Sequence, residues 1–430
     1  MTEPLRPTGW YHDPGREPGM AVLQPKDDPF YQHTGSLARV LPGTVLKTRS
    51  FAYRAFGFPT WLRATQLLYR STSQTGNPTV NVTSVIQPPD QHDKTKVISY
   101  QSAYDSLNQN DEPSYAISGG VTLGGLVPSV EVAVFGPFLA EGYTVIVPDT
   151  EGQRADFAAG PEYGMNTLDS IRAVLSPSST VGLPNDARIA MLGYSGGAIA
   201  TEWAAELAPT YAPEVNARMI GAAMGGLLVD PAHNLHYVEG TWFWGGVLPM
   251  ALVGIARAFE DDFTPYLTPA GVTVFNEMQT TSIVDVLGRY KGLTWQKLII
   301  PTYPTPESLP LYVTAANKLI MGTGGTPTIP LFIGEGASGV LEGTPGDKAG
   351  IGAGDGVMIA GDVRTLAREY CAKGVKVHYE QYDVLGHISS LVPWLPHSIA
   401  WIQQRFADLP APQNCSSIAP GNSLQPIPVP

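Results

Sequence analysis

Gly193-Tyr194-Ser195-Gly196-Gly197 sets a serine among glycines in a G-x-S-x-G pentapeptide. In that pattern the serine sits on a sharp turn between a strand and a helix, and the glycines let neighbouring backbones pass without a Cβ clash. The flanks suit such a turn. Ala190-Met191-Leu192 reads as a short strand entering it, and Ala198-Ile199-Ala200-Thr201-Glu202-Trp203-Ala204-Ala205 reads as a helix leaving it. A serine hydroxyl is a poor nucleophile at neutral pH. The chemistry therefore needs a histidine to take its proton and an acid to orient that histidine.

Both partners are expected downstream, in the order serine, acid, histidine. His12, His33 and His92 precede the motif, His233 and His236 fall in a helical stretch, and His378 lies mid-strand. His387 ends the loop Asp383-Val384-Leu385-Gly386-His387 after a strand, where an imidazole can reach across a sheet, whereas His397 after Pro396 reads as the start of the final helix. His387 is the expected base. The acid should follow the preceding strand, whose long loop offers Glu335, Glu342, Asp347 and Asp355, with Asp383 a further competitor beside the histidine. Asp355 is preferred, because Gly354-Asp355-Gly356 holds a carboxylate at a turn against the apolar Val357-Met358-Ile359.

An oxyanion needs donors as well. One should be the backbone N–H of Gly196 at the start of the helix, and the other should come from the loop Gln101 to Ser106 after the strand Val97 to Tyr100.

The elements that must hold these residues alternate. Thr79 to Val85 and Lys96 to Tyr100 read as two strands of an opening hairpin or meander. Tyr143 to Val147, Arg188 to Leu192, Met219 to Ala223, Pro330 to Gly334 and Val375 to Tyr382 read as further strands. Helical segments separate them, at Thr167 to Val174, Gly197 to Leu207 and Asp362 to Lys373. Strand and helix in turn predict an α/β chain with a largely parallel sheet flanked by helices. Leu227 to Thr326 breaks the rhythm and reads as an inserted helical cap. The expected organisation is an N-terminal arm over residues 1–55, a core over 56–226, the cap over 227–326, and a second core part over 327–430 that ends in a Pro-rich tail.

Composition bounds the partners. Of 430 residues, 43% are hydrophobic, enough for one large core. A formal charge of −12 gives no electrostatic footprint for nucleic acid. The most apolar stretch, Trp242 to Ala256, is broken by Gly245, Gly246 and Pro249 and is too short to span a bilayer. Met1 to Gly19 has no apolar run of the secretory-signal kind. His and Cys spacing suggests no metal site, and no cofactor is expected. The two cysteines, Cys371 and Cys415, are compatible with one disulfide or with two buried thiols.

Short segments carry a resemblance. Asp28-Pro29-Phe30-Tyr31, Tyr100 to Asp105, Pro148-Asp149-Thr150-Glu151-Gly152, Gly193 to Gly197, and Cys371-Ala372-Lys373-Gly374 ahead of His387 resemble, in order, the landmarks of the secretory lipases. That likeness runs from about Lys26 to Pro420. It implies an α/β-hydrolase fold and a triad of Ser195, Asp355 and His387. It also implies an oxyanion hole from the backbone of Asp105 and Gly196, a cap shaping an acyl tunnel, and a Cys371–Cys415 disulfide. The loop from Gly336 to Gly354 departs from the family by its length.

The expectation is then a secreted or extracytoplasmic hydrolase of medium- or long-chain acyl esters such as acylglycerols, with a small-molecule ester or a lipid interface as its partner. Two rivals share the fold. One is an acyltransferase with the same triad, and the other a non-catalytic relative that uses the pocket for binding. A peptidase is less favoured, since nothing resembles a propeller or a charged pocket for a peptide terminus.

Overall fold

Nine strands form one sheet in the order β1-β2-β3-β5-β4-β6-β7-β8-β9 in the computed structural model, which describes residues 22–89, 91 and 93–430. The strands are β1 (Val45–Ala55), β2 (Phe58–Thr72), β3 (Pro78–Gln87), β4 (Lys96–Gln101), β5 (Thr144–Pro148), β6 (Arg188–Tyr194), β7 (Met219–Gly225), β8 (Leu331–Gly336) and β9 (Val377–Tyr382). From β5 to β9 every pairing is parallel, and β1, β2 and β3 continue the sheet antiparallel. The parallel part follows from composition. Thr144–Pro148 is buried at every residue, the continuous apolar run of a strand covered on both faces. Met1 to Gly19, His12 and His92 lie outside the described residues.

Two details of the sheet differ from the reading of the sequence. β3 and β4 do not pair as a hairpin, because β5 lies between them and bonds to both. The antiparallel hairpins are β1–β2 and β2–β3, so Val45–Ala55, read as part of an arm, is the edge strand. β2 carries polar residues that a local pattern does not mark as strand. They are buried because distant partners satisfy them: Gln66 donates to Ser84 Oγ at 3.0 Å and Ser71 donates to Asn166 at 2.6 Å.

Helices cover both faces. Gly160–Leu175 and Gly196–Tyr211 pack against each other on one side, while His387–Phe406 crosses β6, β7 and β8 on the other. That last helix begins at His387 itself and runs through Pro393 and Pro396, rather than starting near His397. Trp394 and Trp401, almost wholly buried beneath it, anchor the helix through the two missing N–H bonds. Between β7 and β8 the chain holds helices and no strand, among them Pro231–Val238, Val247–Phe259, Pro269–Met278 and Pro310–Asn317. Among the described residues no helix is long and apolar enough to cross a membrane.

Cys371, in the last turn of the helix Ala360–Ala372, is disulfide-bonded to Cys415 across a separation of 44 residues. A loop of that length constrains the unfolded chain by about 4 kcal/mol. Replacing both cysteines by serine should lower the stability to urea by about that amount. Equilibrium unfolding of the two proteins checks it.

Candidate active site

β6 delivers Ser195 to the carboxyl edge of the sheet, and the helix Gly196–Tyr211 begins at the next residue. Ser195 has φ +56° and ψ −124°, a conformation costing on the order of 1–3 kcal/mol for a residue with a side chain. The surroundings hold it there. Its N–H donates to Gly225 O on β7 at 2.8 Å, and its carbonyl accepts from Ala198 and Ile199. A Cβ on Gly197 would lie 2.0 Å from Gln101 O, and one on Gly193 would lie 2.2 Å from Gly197 O. The glycines therefore let the turn close against β4.

His387 Nε2 lies 2.7 Å from Ser195 Oγ, and its Nδ1 lies 2.6 Å from Asp355 Oδ2. Asp355 is fully buried, and its other oxygen accepts the N–H groups of Val357 at 3.0 Å and Met358 at 2.7 Å. The His387 N–H donates to Asp355 O at 2.7 Å, so the two residues are joined through backbone as well as side chain. Ser195 is half-buried and can be reached from outside.

Among the described residues no other acid is hydrogen-bonded to the His387 ring. Glu335, buried at the end of β8, accepts the Leu227 N–H at 2.9 Å and sits behind Asp355. Glu342 accepts from Ile388 and Trp244, Asp347 is exposed, and Asp383 accepts from Gln381. His233 pairs with Asp362, His236 with Glu307, and His397 with Glu380. Burial alone would pull His387 down, but the charge and hydrogen bond of Asp355, then the charges of Glu342 and Asp105, leave it above the ordinary 6.5.

The loop Gln101 to Ser106 is built to stay still. Glu131 accepts the Ala103 N–H at 2.8 Å, Glu151 accepts the Ser106 N–H at 3.1 Å, and Tyr163 donates to Glu151 at 3.0 Å. From the helical insertion, Ile283 N–H donates to Asp105 O at 2.8 Å. Asp105 itself sits at φ +35°. The Asp105 carboxyl lies against Gly196. Burial pushes it up to about 7, against the pull of His387 and of the Gly196 N–H.

Three neighbours of His387 escape a reading of the sequence. Tyr194 donates its hydroxyl to His387 O at 2.6 Å, and its ring lies 5.3 Å from the imidazole. Trp244 stands edge-on to the imidazole, with centroids 5.4 Å apart and planes at 86°. Glu342 was visible only as an alternative acid. No spacing signal links Trp244 to His387, because they meet only in the folded chain. Among the described residues no group of His, Cys, Asp and Glu is arranged to hold a metal ion.

The family model for secretory lipases matches residues 120–342 and 350–414. Lipase 1 of Candida albicans is 30% identical over 420 residues, covering 92% of this chain and 84% of that protein. A probable inactive lipase of Mycobacterium tuberculosis is 31% identical over 399 residues, covering 90% and 84%. Among solved structures, the closed state of Candida antarctica lipase A superposes with a TM-score of 0.81 at 26% identity, covering 95% of this chain and 92% of that one.

Proposed function

We propose, from the premise that this chain belongs to the secretory lipase family and is a lipase or esterase of α/β-hydrolase fold, that Ser195, His387 and Asp355 are its catalytic triad. The observation that carries the proposal is the unbroken hydrogen-bonded line from Ser195 Oγ through both ring nitrogens of His387 to the buried Asp355. Ser195 Oγ attacks the ester carbonyl while His387 Nε2 takes its proton, and Asp355 steadies the imidazolium. The oxyanion is held by the N–H groups of Asp105 and Gly196, the latter once the Asp105 carboxyl that it now bonds swings aside. His387 then gives the proton to the departing alcohol, and water repeats the sequence to free the acid and the serine.

The substrate is proposed to be an ester with a medium or long acyl chain. A small apolar cavity of about 30 Å³ within the helical insertion is lined by Leu228, Leu235, Val238, Leu248, Leu252 and Val357, the last only two residues beyond Asp355, and an acyl chain must widen it to bind. The insertion between β7 and β8 serves as the cap of this site. Each methylene buried there contributes about 0.8 kcal/mol, or roughly fourfold in binding. Nitrophenyl esters from about two to sixteen carbons should therefore show kcat/KM rising beyond acetate. A maximum at acetate overturns the lipid reading and leaves a small-ester esterase. An extracytoplasmic location belongs to the same proposal and is supported by the disulfide and the secretory family.

A non-catalytic scaffold is the one rival with an observation behind it, the M. tuberculosis relative described as probably inactive. A fluorophosphonate separates the readings, since covalent labelling needs an activated serine.

A further inference from the structure

In the loop after β8, residues 343–349 fall between the two segments that the family model matches. The loop's first turn, Gly339–Glu342, ends on Glu342, whose carboxylate is half-buried. One oxygen accepts the Ile388 N–H at 2.9 Å, immediately after His387, and the other accepts the Trp244 indole N–H at 3.1 Å. That indole is the one standing edge-on to the His387 ring.

Two glycines make room for it. A Cβ on Gly386, just before His387, would lie 2.5 Å from one Glu342 oxygen. A Cβ on Gly356, just after Asp355, would lie 3.0 Å from the other oxygen and 2.8 Å from the Trp244 indole nitrogen. The carboxylate thus fills a space left open beside both members of the Asp355–His387 pair. Further along the loop, Lys348 donates to the carbonyls of Tyr237 at 3.2 Å, Glu239 at 2.8 Å and His236. These lie at the C-terminal end of the helix Pro231–Val238, where unpaired carbonyls favour a cation. The loop is a strap, tied to the cap through Lys348 and Trp244 and to the histidine through Glu342.

Resting on the triad reading above, we propose that Glu342 is a positioning residue and the second carboxylate acting on His387. It fixes the imidazole's segment and the overlying Trp244, and it supports the imidazolium that forms when Ser195 loses its proton. The groups facing the imidazole are Asp355 and Glu342 from the strap, Ser195 and Tyr194 from β6 and its turn, Asp105 from the loop after β4, and Trp244 from the cap. Glu335 stands behind Asp355. The base must be neutral to work, so kcat/KM is lost as pH falls through the pKa of His387, which lies above 6.5. Glu342 is one of the charges that hold it there, behind Asp355 and ahead of Asp105.

Removing that charge moves the acid limb to lower pH and weakens the imidazolium in the transition state by the same free energy. For Glu342→Gln the midpoint should fall by about half a unit to one unit, and the alkaline plateau of kcat/KM by about three- to tenfold. Lys348→Met, which loosens the strap but keeps the carboxylate, should leave the midpoint where it is in the wild type. The experiment is a pH profile of nitrophenyl butyrate hydrolysis on the full chain, with fluorophosphonate labelling of Ser195 in parallel. Glu342→Ser removes the same charge and reads the same shift should the Gln variant not fold. A labelled wild type whose midpoint is unmoved in the charge-removing variant overturns the role of Glu342 alone. An equal shift in Lys348→Met does the same, by making the effect one of loop order. An unlabelled wild type overturns the triad reading and this proposal together.

Discussion

Ser195→Ala should lower ester hydrolysis by about 10⁶-fold while leaving the thermal unfolding of the protein close to that of the wild type. The size follows from what remains. Alanine has no atom to attack a carbonyl, and His387 is left with no hydroxyl at the 2.7 Å position to deprotonate. The oxyanion donors and the substrate pocket survive, so a residual rate of about 10³ to 10⁴ over uncatalysed hydrolysis is expected from binding and charge stabilisation. The fold should be indifferent, because the turn at Ser195 is held by backbone bonds to Gly225, Ala198 and Ile199 that alanine also makes. The left-handed φ of +56° tolerates alanine no worse than serine. Initial rates on a butyrate ester, with fluorophosphonate labelling lost in the same variant, decide it. Retention of more than about a thousandth of the wild-type rate would remove Ser195 from the mechanism.

What the sequence reveals of this site depends on how far apart the interacting residues lie. The turn around Ser195 is legible because strand, glycines and helix start all fall within a few neighbouring residues. His387 and Asp355 are legible through chain order, and Asp105 through a family resemblance rather than through any local signal. The helices on either side of β6, read at Thr167 to Val174 and Gly197 to Leu207, are legible in the same local way as the Ser195 turn. Pairing decisions are another matter. β3 and β4 follow each other in sequence, yet the wholly buried β5 competes successfully for the place between them. Burial of the polar residues of β2 depends on partners such as Ser84 and Asn166, up to 95 residues away. The same distance hides the clasp around the imidazole. Glu342 and Trp244 are 98 residues apart, and only the sheet edge brings an indole from the segment between β7 and β8 and a loop carboxylate to one histidine.

Asp355→Asn should cost about 10⁴-fold in kcat, with little loss of binding, and the hydrogen bonds around Asp355 say why. Its inner oxygen receives two backbone N–H groups, from Val357 and Met358, so an asparagine must place its carbonyl there. The amide nitrogen then takes the position 2.6 Å from His387 Nδ1 and offers a proton where the wild type accepts one. His387 can meet that donor only by leaving Nδ1 bare and carrying its hydrogen on Nε2. That tautomer points a proton at Ser195 Oγ instead of a lone pair, and the base is gone although no atom has moved far. Glu335, the other buried carboxyl nearby, offers no relief, because Leu227 N–H holds it behind Asp355 and off the imidazole. A crystal structure of the variant that overlays the wild type, together with the expected loss in kcat, would assign the effect to the tautomer. Near-normal kcat would instead mean that Glu335 or Glu342 can orient the base unaided, and Asp355 would lose its place in the triad.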